Sequence, residues 1–134
     1  MKQKYIDAHI KVAEIYASLS TAKRLQVGAI VVKGNRVISI GYNGMPSGWD
    51  NNCEDENYKT RPEVLHAETN AIAKLAKSNE SGLDAAMFIT HAPCLDCAKL
   101  IYQSGISNVY YRNAYRESTG VEFLLKSGVE VEKI

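Results

Sequence analysis

The chain has 134 residues, the length of one ordinary domain, and its 46% hydrophobic and 23% charged residues exclude wholesale disorder. Sixteen Lys and Arg against fifteen Asp and Glu leave a formal charge of +1, which argues against a polybasic nucleic-acid or membrane-surface binder. No apolar run approaches the roughly 18 residues of a membrane span, Met1 to Asp7 lacks the apolar stretch of a secretory signal, and three cysteines do not make a disulfide framework, so a reducing cytoplasm is the expected compartment.

No repeat, low-complexity tract or linker divides the chain, so residues 1–134 read as a single domain. Tyr5, Ala8, Val12, Ile15, Tyr16 and Leu19 recur at helical spacing and predict an amphipathic helix. Val27 to Val32 and Arg36 to Gly41, around Lys33-Gly34-Asn35, predict an antiparallel hairpin. Tyr42 to Arg61 is rich in Gly, Pro and Asn and reads as a long functional loop. A helix is expected from near Glu63, with Leu65, Ala71, Ile72, Leu75 and Ala76 on its apolar face. Ala86 to Thr90 reads as a buried strand. Pro93 opens a helix that stops near Gly105. A strand at Val109 to Tyr111, a helix through Val121 to Leu125 and a strand at Val129 to Glu132 complete the order α-β-β-α-β-α-β-α-β. Strands alternating with helices after the hairpin predict a three-layer α/β/α domain with a five-stranded mixed sheet.

The chemistry is concentrated in His66-Ala67-Glu68 and Pro93-Cys94-Leu95-Asp96-Cys97. Cys94 and Cys97 start one predicted helix, where the positive helix end favours thiolates. His66 starts another and can add a nitrogen. Two thiolates and one imidazole suit tetrahedral Zn²⁺ with one open position, an arrangement that makes water nucleophilic near neutral pH. Glu68 is too close to His66 to be a comfortable fourth ligand but is placed to carry protons. Either half of the pattern is weak alone; the order, the gap and the preceding proline make the pair specific.

This pairing resembles the zinc nucleobase deaminases, whose signature is H-x-E followed by P-C-x-x-C. The resemblance runs from Gln26 to the C-terminus and is strongest to deoxycytidylate (dCMP) deaminases. It includes Gln26-Val27-Gly28-Ala29, the loop Gly41-Tyr42-Asn43-Gly44-Met45-Pro46-Ser47-Gly48, Ser104-Gly105-Ile106 and Tyr115. It implies the cytidine-deaminase-like fold and hydrolysis of dCMP to dUMP and ammonia. It also implies activation by dCTP with Mg²⁺, inhibition by dTTP, and a hexamer. Some relatives hold a second, structural zinc in the segment between Gly48 and His66. Here that segment contains only Cys53, so one zinc per chain is expected.

For substrate contacts, Asn43 is a candidate for a sugar hydroxyl, Ala67 for the pocket wall, and Arg24, Tyr115 and Arg116, with Lys23, for the phosphate. Tyr42, Asn43, Gly44 and Lys77 are the candidate effector residues, with Gly41 and Gly44 allowing close backbone approach to a ligand. His91 is expected in the pocket wall but not on the metal, His9 in a structural place, and Cys53 as a free thiol. Trp49 is expected over the site or at an interface. The alternatives weighed are a deaminase of nucleosides or nucleic-acid bases and a non-catalytic zinc module. Glu68 and the three-ligand set argue against the last, and the near-neutral charge against nucleic acid.

Overall fold

A computed structural model describes residues 1–134. The elements are α1 (Gln3–Ala17), β1 (Gly28–Lys33), β2 (Arg36–Tyr42), α2 (Ala67–Ala76), β3 (Ala86–His91), α3 (Leu95–Gln103), β4 (Asn108–Asn113), α4 (Thr119–Lys126) and β5 (Glu130–Lys133). They occur in the expected order. One five-stranded sheet runs β2-β1-β3-β4-β5. β1 is antiparallel to both β2 and β3, while β3, β4 and β5 are parallel. The hairpin turns on Gly34 and Asn35, both at positive φ, as a two-residue turn between twisted strands requires.

Alternation along the buried strands separates two cores. Ile30, Val32, Phe88 and Tyr110 face α1, where they meet Ile6, Ile10 and Ala13. Ala29, Val31, Met87, Ile89 and Val109 face α2, α3 and α4, through Ala71, Leu75, Ala98, Ile101 and Leu124. Phe88 stacks on Tyr110 at 4.7 Å and meets His9 at 5.2 Å. His9 is thus a core residue, and its Nε2 is hydrogen-bonded to Asn35 Oδ1 at 2.9 Å.

Two expectations are corrected. The first helix buries Ile6, His9, Ile10, Ala13 and Ala17, not the stripe through Tyr5, Ile15 and Leu19, of which Ile15 is 65% exposed. Both stripes have helical spacing. Only the one carrying Ala13 and Ala17 lets the helix backbone come down onto β1, where a Cβ at Gly28 would meet the backbone of those two residues. The second helix begins at Ala67, not near Glu63, because Leu65 is engaged in an isolated bridge with Gly44. That bridge aligns the chain entering α2 and leaves His66 as its N-cap.

Gly41 has a structural use that differs from the ligand approach expected of it. A Cβ there would overlap Ala67 O and lie 2.6 Å from Ala71 N, so α2 rests its backbone directly on β2. Ser39 Oγ donates to Ala71 O at 2.6 Å and Asn70 Nδ2 to Tyr42 O at 3.1 Å, tying the same contact. Gly120 does likewise for α4 against Pro93 and Cys94. Both glycines lie next to the helix starts that carry the metal-ligand candidates.

Candidate metal centre and active site

The C-terminal ends of β2, β3 and β4 and the start of β1 converge on one rim of the sheet, where open α/β sheets bind ligands. His66 and Cys94 are the N-caps of α2 and α3, and Cys97 lies in the first turn of α3. The three donor atoms all lie within 4.8 Å of one another. His66 Nδ1 is 3.3 Å from Cys97 Sγ and 3.6 Å from Cys94 Sγ. Tetrahedral zinc with ordinary Zn–S and Zn–N lengths holds such atoms about 3.6 Å apart. The donor set therefore fits Zn²⁺ in chemistry and spacing, with His66 presenting Nδ1. Cys53, the third free cysteine, is outside the cluster, buried against Thr21 Oγ1 at 3.4 Å.

Without metal, the cluster shares its protons unequally. The Cys97 side chain beside Cys94, followed by His66, stabilises a Cys94 thiolate and lowers its pKa to about 4. That thiolate and burial push the Cys97 thiol up. The hydrogen bond to Cys94 raises the His66 pKa in turn. Glu68 follows on the first turn of α2 with only 4% of its surface exposed. Desolvation raises its pKa to about 7. A carboxylate poised near neutrality beside a metal can take a proton from water and give it back.

A cavity of about 620 Å³ opens over this cluster, within the usual range for small-ligand sites. His66, Ala67, Glu68 and Cys94 line it, together with Arg24, Asn43, Tyr115 and Arg116. The Arg116 guanidinium lies 5.7 Å from the Tyr115 ring centre. Arg24, Asn43, Ala67, Tyr115 and Arg116 thus share one cavity with His66 and Cys94. Lys23 is turned away and faces the Tyr58 ring at 5.9 Å. His91 lines the cavity with Nδ1 hydrogen-bonded to Thr90 Oγ1 at 2.9 Å, and desolvation lowers its pKa. Trp49 is 54% exposed and is not in the cavity wall.

The effector candidates are less united. Asn43 Oδ1 accepts Val27 N–H at 2.9 Å and its Nδ2 donates to Leu25 O at 2.8 Å, so its amide fastens the chain entering β1. Gly44 pairs with Leu65. Lys77 is the C-cap of α2, about 16 Å along the helix axis from His66. Lys74 is the lysine that reaches Tyr42: its Nζ is 6.0 Å from the ring centre and donates to Ile40 O at 2.8 Å.

The residue that sequence reasoning missed is Glu54. It is 5% exposed and lines the cavity. Its Oε2 accepts the backbone N–H groups of Lys23 and Arg24 at 3.0 and 3.2 Å. A small loop makes this possible. Glu54 bridges to Thr60, and the Asp55 carboxylate caps the turn by accepting from Asn57 and Lys59. Glu54 is thereby turned inward while Asp55 stays in solvent.

Residues 2–113 match the family model described as the cytidine and deoxycytidylate deaminase zinc-binding region. The chain is 38% identical to human deoxycytidylate deaminase over 108 residues, which are 75% of this chain and 60% of the human protein. It is 36% identical to ComE operon protein 2 of Bacillus subtilis over 91% of this chain and 67% of that one. A crystal structure of dCMP deaminase from the cyanophage S-TIM5, in complex with dCMP and dUMP, superposes with a TM-score of 0.98 at 50% identity, covering 100% of this chain and 99% of that one. With the ligand cluster, the buried carboxylate and the cavity now placed on that fold, the chain belongs to the zinc-dependent cytidine and deoxycytidylate deaminase family.

Proposed function

We propose that residues 1–134 form one deaminase domain that hydrolyses dCMP to dUMP and ammonia. The likeness to a dCMP- and dUMP-bound deaminase over the full chain carries this reading. The cavity supports it, because it joins a hydrolytic cluster to two guanidinium groups suited to a phosphate. Zn²⁺, when bound by His66, Cys94 and Cys97, supplies Lewis acidity that makes water nucleophilic. Glu68 accepts a water proton, delivers it to ring N3, and moves a second proton to the departing amino group. In balance, the water oxygen becomes O4, the C4–N4 bond breaks and ammonia leaves. Ala67 walls the base, and burial of Glu68 keeps bulk water from competing for its proton.

Arg24 and Arg116, with the Tyr115 hydroxyl, hold the 5′-phosphate. Charged hydrogen bonds from two arginines correspond to a preference for dCMP over deoxycytidine of at least about 100-fold in kcat/KM. Ammonia release from the two substrates, compared in wild type and Arg116→Ala, checks this. Equal efficiency on both would move the reading to a nucleoside deaminase.

We also propose that Mg²⁺-dCTP activates and dTTP inhibits a cytoplasmic hexamer that acts on neither nucleic acid nor membrane. The resemblance supplies the effectors. The half-buried ring of Tyr42 on edge strand β2, beside Lys74, offers an aromatic face and a cation for them. Exposed Ile15 and Leu19 offer apolar surface for subunit contact. With Asn43 and Gly44 tying this loop to the active-site entrance, dCMP saturation is expected to be sigmoidal alone and near-hyperbolic with Mg²⁺-dCTP. Titrations run beside a sizing measurement decide it; hyperbolic kinetics indifferent to both nucleotides, from a monomer, would end it.

A further inference from the structure

We propose that Glu54 reads the substrate's free 3′-hydroxyl and so restricts the site to mononucleotides. The inference rests on the dCMP reading above. Glu54 Oε1 is the one buried side-chain nitrogen or oxygen in the protein with no hydrogen-bond partner. Its sister oxygen is fixed by two backbone N–H groups, which leaves the carboxylate little freedom to turn elsewhere. An unpaired buried acceptor costs free energy, and it is retained where a ligand completes it. Glu54 lines the cavity, so the missing donor can arrive with the substrate.

The chemistry of dCMP narrows that donor. Its phosphate presents acceptors and negative charge, which a carboxylate repels. Its amino group must lie at the zinc end, beside Glu68. Only the 3′-hydroxyl remains as a donor. The asparagine expected to read this hydroxyl has its amide oriented by Val27 N–H and Leu25 O, which hold it against the chain entering β1. The same logic excludes polymers. A 3′-phosphodiester has no proton to give and brings an anion against Glu54. Selection against nucleic acid is thereby a local property of the cavity, beyond what net charge provides.

The test compares kcat/KM for dCMP, 2′,3′-dideoxycytidine 5′-monophosphate and deoxycytidine 3′,5′-bisphosphate in the zinc-loaded wild type and in Glu54→Gln. Removing the hydroxyl should cost the wild type about 10- to 100-fold, the range for a hydrogen bond to a charged group. Glu54→Gln should narrow that ratio to a few-fold and improve the bisphosphate relative to dCMP. A carboxylate that only anchors the Lys23–Arg24 backbone would lower all substrates together and leave the ratios unchanged; that result overturns the proposal. So does a wild type that treats dCMP and its dideoxy analogue alike. Thermal melting checks that the variant folds, and Glu54→Asp, with the carboxylate drawn back, is read the same way. If wild type turns over deoxycytidine but not dCMP, the substrate reading fails, and the comparison of deoxycytidine with 2′,3′-dideoxycytidine still tests Glu54.

Discussion

Glu68→Gln will retain zinc and fold but lose roughly 10²–10⁴-fold in turnover, the usual contribution of a positioned acid–base group. Gln keeps the shape and polarity of the side chain but cannot take a proton from water. The change also has a signature in stability. In the metal-free protein, burial raises the Glu68 pKa from an ordinary 4.5 to about 7. The folded state then holds this proton more tightly than the unfolded chain, so its contribution to stability falls as pH rises from about 4.5 to about 7 and stays low above. Metal-free Glu68→Gln should therefore melt higher than metal-free wild type at pH 8, on the order of 2 kcal/mol, and the gap should close toward pH 4. Turnover, zinc content and melting curves at both pH values check this. Near-normal turnover would remove Glu68 from the chemistry; an unchanged gap across pH would remove the desolvation argument.

Cys97→Ala is expected to abolish zinc retention and turnover together, a loss of at least about 10⁴-fold, because zinc held by His66, Cys94 and Cys97 would supply the Lewis acidity that the proposed hydrolysis needs. Cys97 is buried, and its sulfur is 3.3 Å from His66 Nδ1, so its loss removes one of the three clustered donors. Cys94→Ala should do the same. Elemental analysis of the purified variants is the direct measurement, and full zinc content in either would refute the ligand set. Thiol chemistry gives a second readout. In metal-free wild type, Cys94 is already a thiolate well below neutral pH, while Cys97 retains its proton. Iodoacetamide at pH 6 should label Cys94 first, and zinc should protect it. Binding the metal must displace the protons on Cys97 and His66, so zinc affinity should weaken as pH falls.

Much of the site was legible in one dimension because its chemistry is local. Cys94 and Cys97 are three residues apart at a helix start, and His66 and Glu68 two apart at another, so short-range geometry alone orients each half. The order of elements followed from hydrophobic period and from glycine and proline punctuation, and it placed every strand and helix. What pairs a half with its partner 28 residues away is the sheet. Gly41 and Gly120 seat α2 and α4 backbone to backbone, and that contact involves residues distant in sequence. The buried face of α1 was decided in the same way, by the need of Ala13 and Ala17 to meet Gly28. Periodicity alone pointed to the stripe through Tyr5, Ile15 and Leu19, and packing buried its neighbour instead. Lys74, not Lys77, reaches Tyr42 because the pairing of α2 with β2 sets which helical turn lies beside the ring. Glu54 was invisible among Asp55 and Glu56, since three neighbouring acids have the same composition whichever one is buried. Only the folded loop turns one inward and leaves an oxygen without a donor. Sequence determined the reactive groups and the secondary structure that orients them; tertiary packing determined which further groups face the cavity, because burial and unmet hydrogen bonds arise only when distant segments close on one another.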